Sequence, residues 1–136
     1  MTHPRQSLRE AVKGALADLP LDVYTNRTSA FGPRELKRRP AAVIVTDTER
    51  SQRLQKSGGL LRTISLVIVV TLLWEEQSID DVLDDWAEKI EARIPASLAP
   101  ADVMQLVGTS IEFSADEEGA HWFAYLALEY EGTVIG

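Results

Sequence analysis

The side chains best able to do chemistry in this chain of 136 residues are its carboxylates. Asp80, Asp81, Asp84, Asp85 and Glu88 fall on adjacent turns of an expected helix. Asp81 and Asp85 are i, i+4 neighbours there, a spacing at which two carboxylates can share a divalent cation. A solvated helix face produces the same pattern, and the expectation is no metal site. Asp116-Glu117-Glu118 lacks the spaced ligands of a calcium loop. His3 and His121 are the two histidines, and no Ser or Asp is placed near His121 in sequence to make it a base. There is no cysteine, which excludes disulfides, thiolate zinc sites, iron–sulfur clusters and thiol catalysis. Gly58-Gly59 is not followed by Lys and Ser/Thr, and neither G-x-G-x-x-G nor G-x-S-x-G occurs. Lys56-Ser57-Gly58 is a fragment of a β-lactamase motif whose partner motifs are missing. The chain reads as having no catalytic residue and no cofactor, and as no enzyme.

Charge is the informative feature. The formal net charge is −7, which argues mildly against whole-protein nucleic-acid binding. It is the balance of two unlike halves: residues 1–62 carry twelve Lys/Arg and six Asp/Glu, and residues 63–136 carry two and fifteen. In the basic half, Arg34, Lys37, Arg38 and Arg39 are followed by Arg50, Arg53, Lys56 and Arg62. Three readings of that run stand: simple solvation, a protein–protein surface, or a nucleic-acid surface. The last lacks stacking groups, since no aromatic residue lies between Arg34 and Leu73. Opposite charge on the two halves suits one copy's basic surface meeting another copy's acidic surface, head to tail.

These residues need a scaffold, and hydrophobic periodicity supplies one. Leu8, Ala11, Val12, Ala15, Leu16 and Leu19 make one apolar stripe, so a helix is expected over 7–19, stopped by Pro20. A short strand is expected at 23–25 and a long loop from Asn26 to Pro40. Residues 41–46 read as a strand of small and β-branched residues. Asp47 to Arg62 turns polar and reads as a hairpin about Gly58-Gly59, anchored at most by Leu54, Leu60 and Leu61. Arg62 to Trp74 is the strongest strand, apolar on both faces, so it should be central and covered on both sides, with Val69 and Leu72 buried. One cover would be the chain's own helices and the other another subunit. Ser78, with Asp81 three residues on, opens a helix ended by Pro95, with Ile79, Val82, Leu83, Trp86, Ile90 and Ile94 inward. After a linker at 98–102, strands are expected at 103–114 and 121–130, joined by a turn at 115–119, with a short tail at 131–136.

The order implies an α+β, two-layer fold: a mostly antiparallel sheet of four to five strands with two helices on one face. A single domain over 1–136 is expected, with a long basic hairpin around 47–62. No apolar signal-peptide core is visible, and the longest apolar run, Ile64–Trp74, is about half the ~20 residues that a membrane-spanning helix needs.

The sequence of elements resembles the tail terminator proteins of long-tailed phages, the minor tail protein U-like or tail completion family. The residues that carry the resemblance begin with the Leu8-Arg9-Glu10-Ala11-Val12 helix and the run Leu36 to Pro40 feeding 41–46. A charged hairpin follows, then Arg62-Thr63-Ile64-Ser65-Leu66-Val67-Ile68-Val69 and Ser78-Ile79-Asp80-Asp81-Val82-Leu83-Asp84. Late in the chain come Leu106-Val107-Gly108-Thr109-Ser110-Ile111-Glu112-Phe113 and a hairpin into Ala124–Tyr130. The resemblance implies a small subunit of a hexameric ring that caps the tail tube, stops its polymerisation and joins the filled head. The implied partners are further copies of the chain, the tail tube protein and a head–tail connector or neck protein, with DNA only passing through the ring. The implied location is the virion tail or neck, assembled in the bacterial cytoplasm. A neck or head-completion protein, or a small nucleic-acid-binding regulator using residues 34–62, are the alternatives. The family brings no motif of site residues. From charge alone, Arg50, Arg53, Lys56 and Arg62 on the hairpin and Asp80, Asp81, Asp84, Asp85 and Glu88 on the helix are the expected contacts between copies.

Overall fold

The computed structural model describes residues 3–25, 27, 29–55, 58–74, 78–115 and 121–135. In chain order the elements are α1 (Pro4–Ala15), β1 (Asp22–Tyr24), α2 (Pro33–Arg38), β2 (Ala41–Gln55), β3 (Gly58–Trp74), α3 (Ile79–Arg93), β4 (Val103–Ala115) and β5 (Trp122–Ile135). The fold is α+β.

The five strands form one sheet in the order β1-β2-β3-β5-β4. β1 runs parallel to β2, and all other neighbours are antiparallel. Alternation along β3 sets the architecture, because successive side chains point to opposite faces. Ile64, Leu66, Ile68 and Val70 are fully buried and Leu72 nearly so. Their partners on β5, from Ala124 through Leu126 and Leu128 to Tyr130, are buried on the same face. Leu8, Val12 and Leu16 from the first helix and its cap, and Leu83, Trp86 and Ile90 from α3, join them in one core. Each fully buried aliphatic side chain in such a core contributes roughly 1.5–3 kcal/mol. Close packing of α1 on the sheet shows at Gly132, where a Cβ would stand 2.9 Å from Leu8 Cδ2 and 3.0 Å from Met104 Sδ.

The opposite face is open. Val43, Val67, Val69, Leu73, Phe123, Tyr125 and Ala127 lie on it half-buried, and Val45 is exposed. Leu72 is therefore in the core as expected, but Val69 is not. Among the described residues, β3 is covered by the helices on one face alone.

Several boundaries differ from the sequence reading. α1 starts earlier, at Pro4, where the His3 ring Nδ1 accepts from Arg5 N–H at 3.1 Å and proline suits the first helical position. It ends at Ala15, and Leu19 reaches the core through the turn that follows. The loop from 26 to 40 contains α2, too short for periodicity, signalled by Pro33 after Gly32 and by Glu35, whose Oε1 accepts from Gly32 N–H at 3.2 Å. Ser78 caps α3 by position, but its side chain makes no capping hydrogen bond. The expected tail at 131–135 is the end of β5, while the turn at 116–120 lies outside the described residues.

The largest difference is the hairpin. Residues 47–55 and 58–61 continue β2 and β3 with only one irregularity, between Thr46 and Thr48. Leu61 still pairs with Ile135 of β5. The polar segment is thus part of the sheet. Its strands are solvated on both faces near the tip, which removes the hydropathy alternation that would have marked them.

Candidate functional site

The strand order carries the charge split of the sequence only partly into space. α1 packs on β2, and β1, β2 and α1 come from the basic first 62 residues. α3 packs on β5, and α3, β5 and β4 come from the acidic remainder. The α3, β5 and β4 flank is acidic, while α1, β1 and β2 hold five cations against four carboxylates and Lys37, Arg38 and Arg39 lie beside α3.

The expected contact residues stand at opposite ends of the molecule. The hairpin tip follows Gln55, and α3 begins beyond Trp74 at the other end of β3. The two are separated by the length of β3, 17 residues, or about 53 Å at ~3.3 Å per residue. Asp80, Asp81, Asp84, Asp85 and Glu88 are all exposed on α3. The described residues contain no ion pair to any of the five. They also contain no group of three His, Cys, Asp or Glu placed to hold a metal ion.

The cations are less uniform. Arg50 is exposed and its Nη2 lies 3.0 Å from Glu131 Oε1 on β5 of the same chain. Arg62 is partly buried and bonds Glu49 Oε2 at 3.0 Å. Arg53 is exposed, with no ion pair among the described residues, and Lys56 lies outside them. The tip therefore offers Arg53 without an internal partner and Arg50 in a solvent-exposed pair, which by itself contributes only ~0–1 kcal/mol.

A second charged cluster ties the segment after β1 to α2. Arg27 bonds both carboxylate oxygens of Glu35, at 2.8 and 2.9 Å, and its guanidinium lies 4.0 Å from the Phe31 ring centroid and 5.1 Å from that of Tyr24. The Arg27 hydrogen bond, helped by Gly32 N–H, holds the Glu35 carboxyl below its usual range. On the other side of the sheet, Arg93 at the end of α3 bonds Asp18 at 3.0 Å and lowers that carboxyl's pKa. Both clusters have structural partners, and in each the carboxylate keeps access to solvent.

A cavity of about 400 Å³ lies between α2, the end of β3 and α3, lined by Leu36, Leu72, Leu73, Ile79, Val82 and Trp86 with Lys37, Arg38 and Arg39 at its margin. Its lining, part apolar and part cationic, brings no nucleophile to a base.

Charge reasoning missed the character of β4. Val103, Val107, Ile111 and Phe113 of this outer strand are 50, 45, 40 and 44% exposed, four of the seven large exposed apolar side chains among the described residues. The Phe113 ring stands 5.5 Å from that of Trp74, which stands 6.1 Å from that of Trp122. The alternation of Val107, Thr109, Ile111 and Phe113 was visible in the sequence. That β4 is an outer strand beyond the helices was not.

No family model and no curated protein matches the sequence. Among solved structures, the chain is similar to one in the virion of a native gene transfer agent (GTA) particle, at 14% identity and a TM-score of 0.56. The alignment covers 99% of this chain and 100% of that one. At this identity the likeness shows a common fold along the whole length. No helix among the described residues is long and apolar enough to cross a membrane.

Proposed function

We propose that this chain is a structural subunit of a phage-type virion that assembles with copies of itself into a ring, six by resemblance, on the end of the tail tube. There it ends tube polymerisation and presents the surface that joins the head. The observation that carries this reading is the end-to-end likeness to a chain of a gene transfer agent virion. It adds to the independent resemblance of the sequence to tail terminators.

The geometry supports a head-to-tail contact. A ring of one subunit requires two different mating patches on each copy. Exposed cations at the hairpin tip and exposed carboxylates on α3 are opposite in sign and too far apart to meet within one chain. Arg53 and Arg50, with Lys56, are the proposed basic patch, and Asp80, Asp81, Asp84, Asp85 and Glu88 the acidic one. Arg62 drops to a supporting role, since Glu49 already engages it. In this reading the chain performs no catalysis and needs no cofactor. Its other partners are the tail tube protein and a connector or neck protein.

The test is to locate the chain in purified particles by an epitope tag and immunogold microscopy. Label at the head-proximal end of the tail is expected. Label at the distal tip, or on the head shell, contradicts capping. A neck or head-completion position would label head particles that have no tail.

A further inference from the structure

We infer that copies of this chain associate by strand addition, the outer edge of β4 on one copy pairing antiparallel with the outer edge of β2 on the next. This goes beyond the capping role, because it names the backbone edges that meet, and it stands whatever the assembly caps.

The sheet has two long open edges. β1 covers β2 only over Ala41–Val43, so beyond Val43 no described strand pairs with its outer side. β4 closes the other side, and only its start is engaged, through Met104 N–H to Ala96 O at 2.7 Å. Unpaired edges of this length are templates for another strand, and proteins that stay monomeric blunt them with charge, proline, bulges or shortness. β4 has thirteen residues, no proline, no lysine, one charge, Glu112, and one irregularity, between Leu106 and Gly108, beyond which Gly108–Ala115 pairs regularly with β5 and leaves an uninterrupted outer edge. It also carries the exposed Val103, Val107, Ile111 and Phe113. An edge left this apolar is one that a partner covers.

The occupant is a second copy. The edge of β2 is the other long unpaired strand on this molecule. It carries Arg50 and Arg53 together with Asp47 and with Glu49, which Arg62 already engages, while β4 and β5 present Glu112, Glu129 and Glu131 and no cation. β4 against β4 would set carboxylates against carboxylates, whereas β2 against β4 brings Arg50 and Arg53 to them. Direction agrees as well. Alternation through β3 and β5 makes β4 run opposite to β2. Copies pointing the same way along a common axis therefore meet antiparallel.

The open stretches are also staggered. That of β2 centres near Arg50, opposite Thr63; that of β4 centres near Ser110, aligned through Ala127 with Val69. The offset is ~20 Å along a four-strand repeat ~19 Å wide, a slope of ~46°, at the steep end of the strand tilt of closed barrels. Repeated addition with this stagger suits a closed ring. By its register with Leu60 and Ile64, Arg53 stands on the helix-bearing face of β2. Edge pairing would bring it beside the face of the neighbour that carries α3.

The full-length chain has no cysteine, so crosslinking can be read without background. Chains carrying Thr48→Cys, Arg50→Cys or Gln52→Cys are each mixed with chains carrying Ser110→Cys and oxidised. A mixed disulfide with at least one of the three is expected, and none in Ser110→Cys alone. Ile111→Lys should weaken self-association about tenfold or more, by placing a charge on the edge, and leave the melting temperature unchanged. Crosslinking of Ser110→Cys to itself would mean a two-fold β4 contact and overturn the inference, as would no mixed disulfide at any concentration. A mixed disulfide without closed rings removes the capping ring and keeps the edge contact. Tails capped by rings that never give the mixed disulfide do the reverse.

Discussion

Arg62 and Glu49 face each other across the β2–β3 pair with Nη1 3.0 Å from Oε2, and both side chains are largely shielded from water. Arg5 from α1 approaches the other carboxylate oxygen at 3.9 Å. One carboxylate thus links the first turn of α1 to both strands of the hairpin. Glu49→Ala would leave the shielded Arg62 guanidinium without its acceptor and should cost ~1–3 kcal/mol. Arg62→Ala should cost less, because Arg5 still faces the carboxylate. Urea unfolding of the two variants checks this. A loss smaller for Glu49→Ala than for Arg62→Ala would show that the carboxylate does not organise the cluster.

Neighbouring residues on β3 should respond very differently to the same substitution. Ile68 is fully buried under the helices, and Val69 lies half-buried on the open face. Ile68→Asp buries a charge with no partner and should cost ~3–5 kcal/mol or prevent folding. Val69→Asp should leave a folded monomer with less than ~1.5 kcal/mol lost, since its new carboxylate keeps access to water. Circular dichroism melts of the pair decide. Equal losses would mean that the open face is covered in the monomer.

Tyr130 is 3% exposed beneath α3. Burial, and then the charge of Glu91, push its hydroxyl pKa up from 10.0 to about 12. The folded pKa lies above the unfolded one. The neutral phenol therefore adds stability that is fully present below pH 10 and lost as pH rises through about 12. A tyrosinate absorbance titration should show a late step near about 12 that Tyr130→Phe removes. Should the late step persist in Tyr130→Phe, it belongs to another group.

Reversing the tip charges separates folding from assembly. Arg50 is 79% exposed in its pair with Glu131, so Arg50→Glu with Arg53→Glu should shift monomer stability by ~1 kcal/mol or less. Self-association should fall, and in the unaltered chain it should weaken as salt rises and shortens the Debye length from ~10 Å at 0.1 M. Light scattering at two salt concentrations measures both. An unchanged oligomer in the double variant would remove the cations from the contact.

The parts of the fold that bury one face were legible because burial imposes a period. The stripes of α1 and α3 and the alternation of β3 and β5 are direct records of what they pack against. Residues 47–62 were legible as a hairpin but not as a continuation of the sheet, because the side that Glu49 and Arg62 shield is charged and leaves no apolar period. α2 was missed because six residues with one buried side chain, Leu36, hold no period. Val69 misled because its apolar character reflects the open sheet face and not the core. For the candidate site, the sequence exposed the sign of each charged segment. Only the structure showed that the acidic α3 and the hairpin stand at opposite ends of β3 and that Arg62 is turned toward Glu49. The unprotected edge of β4 needed topology, since an outer strand and a central one can share the same alternation.

In the proposed function this chain ends tail growth and makes the head-joining surface. The most direct measurement is electron microscopy of particles assembled with the chain deleted and then restored. Overlong tails without heads are expected in its absence, with length and joining recovered on restoration. Tails of normal length joined to filled heads in its absence would contradict the account.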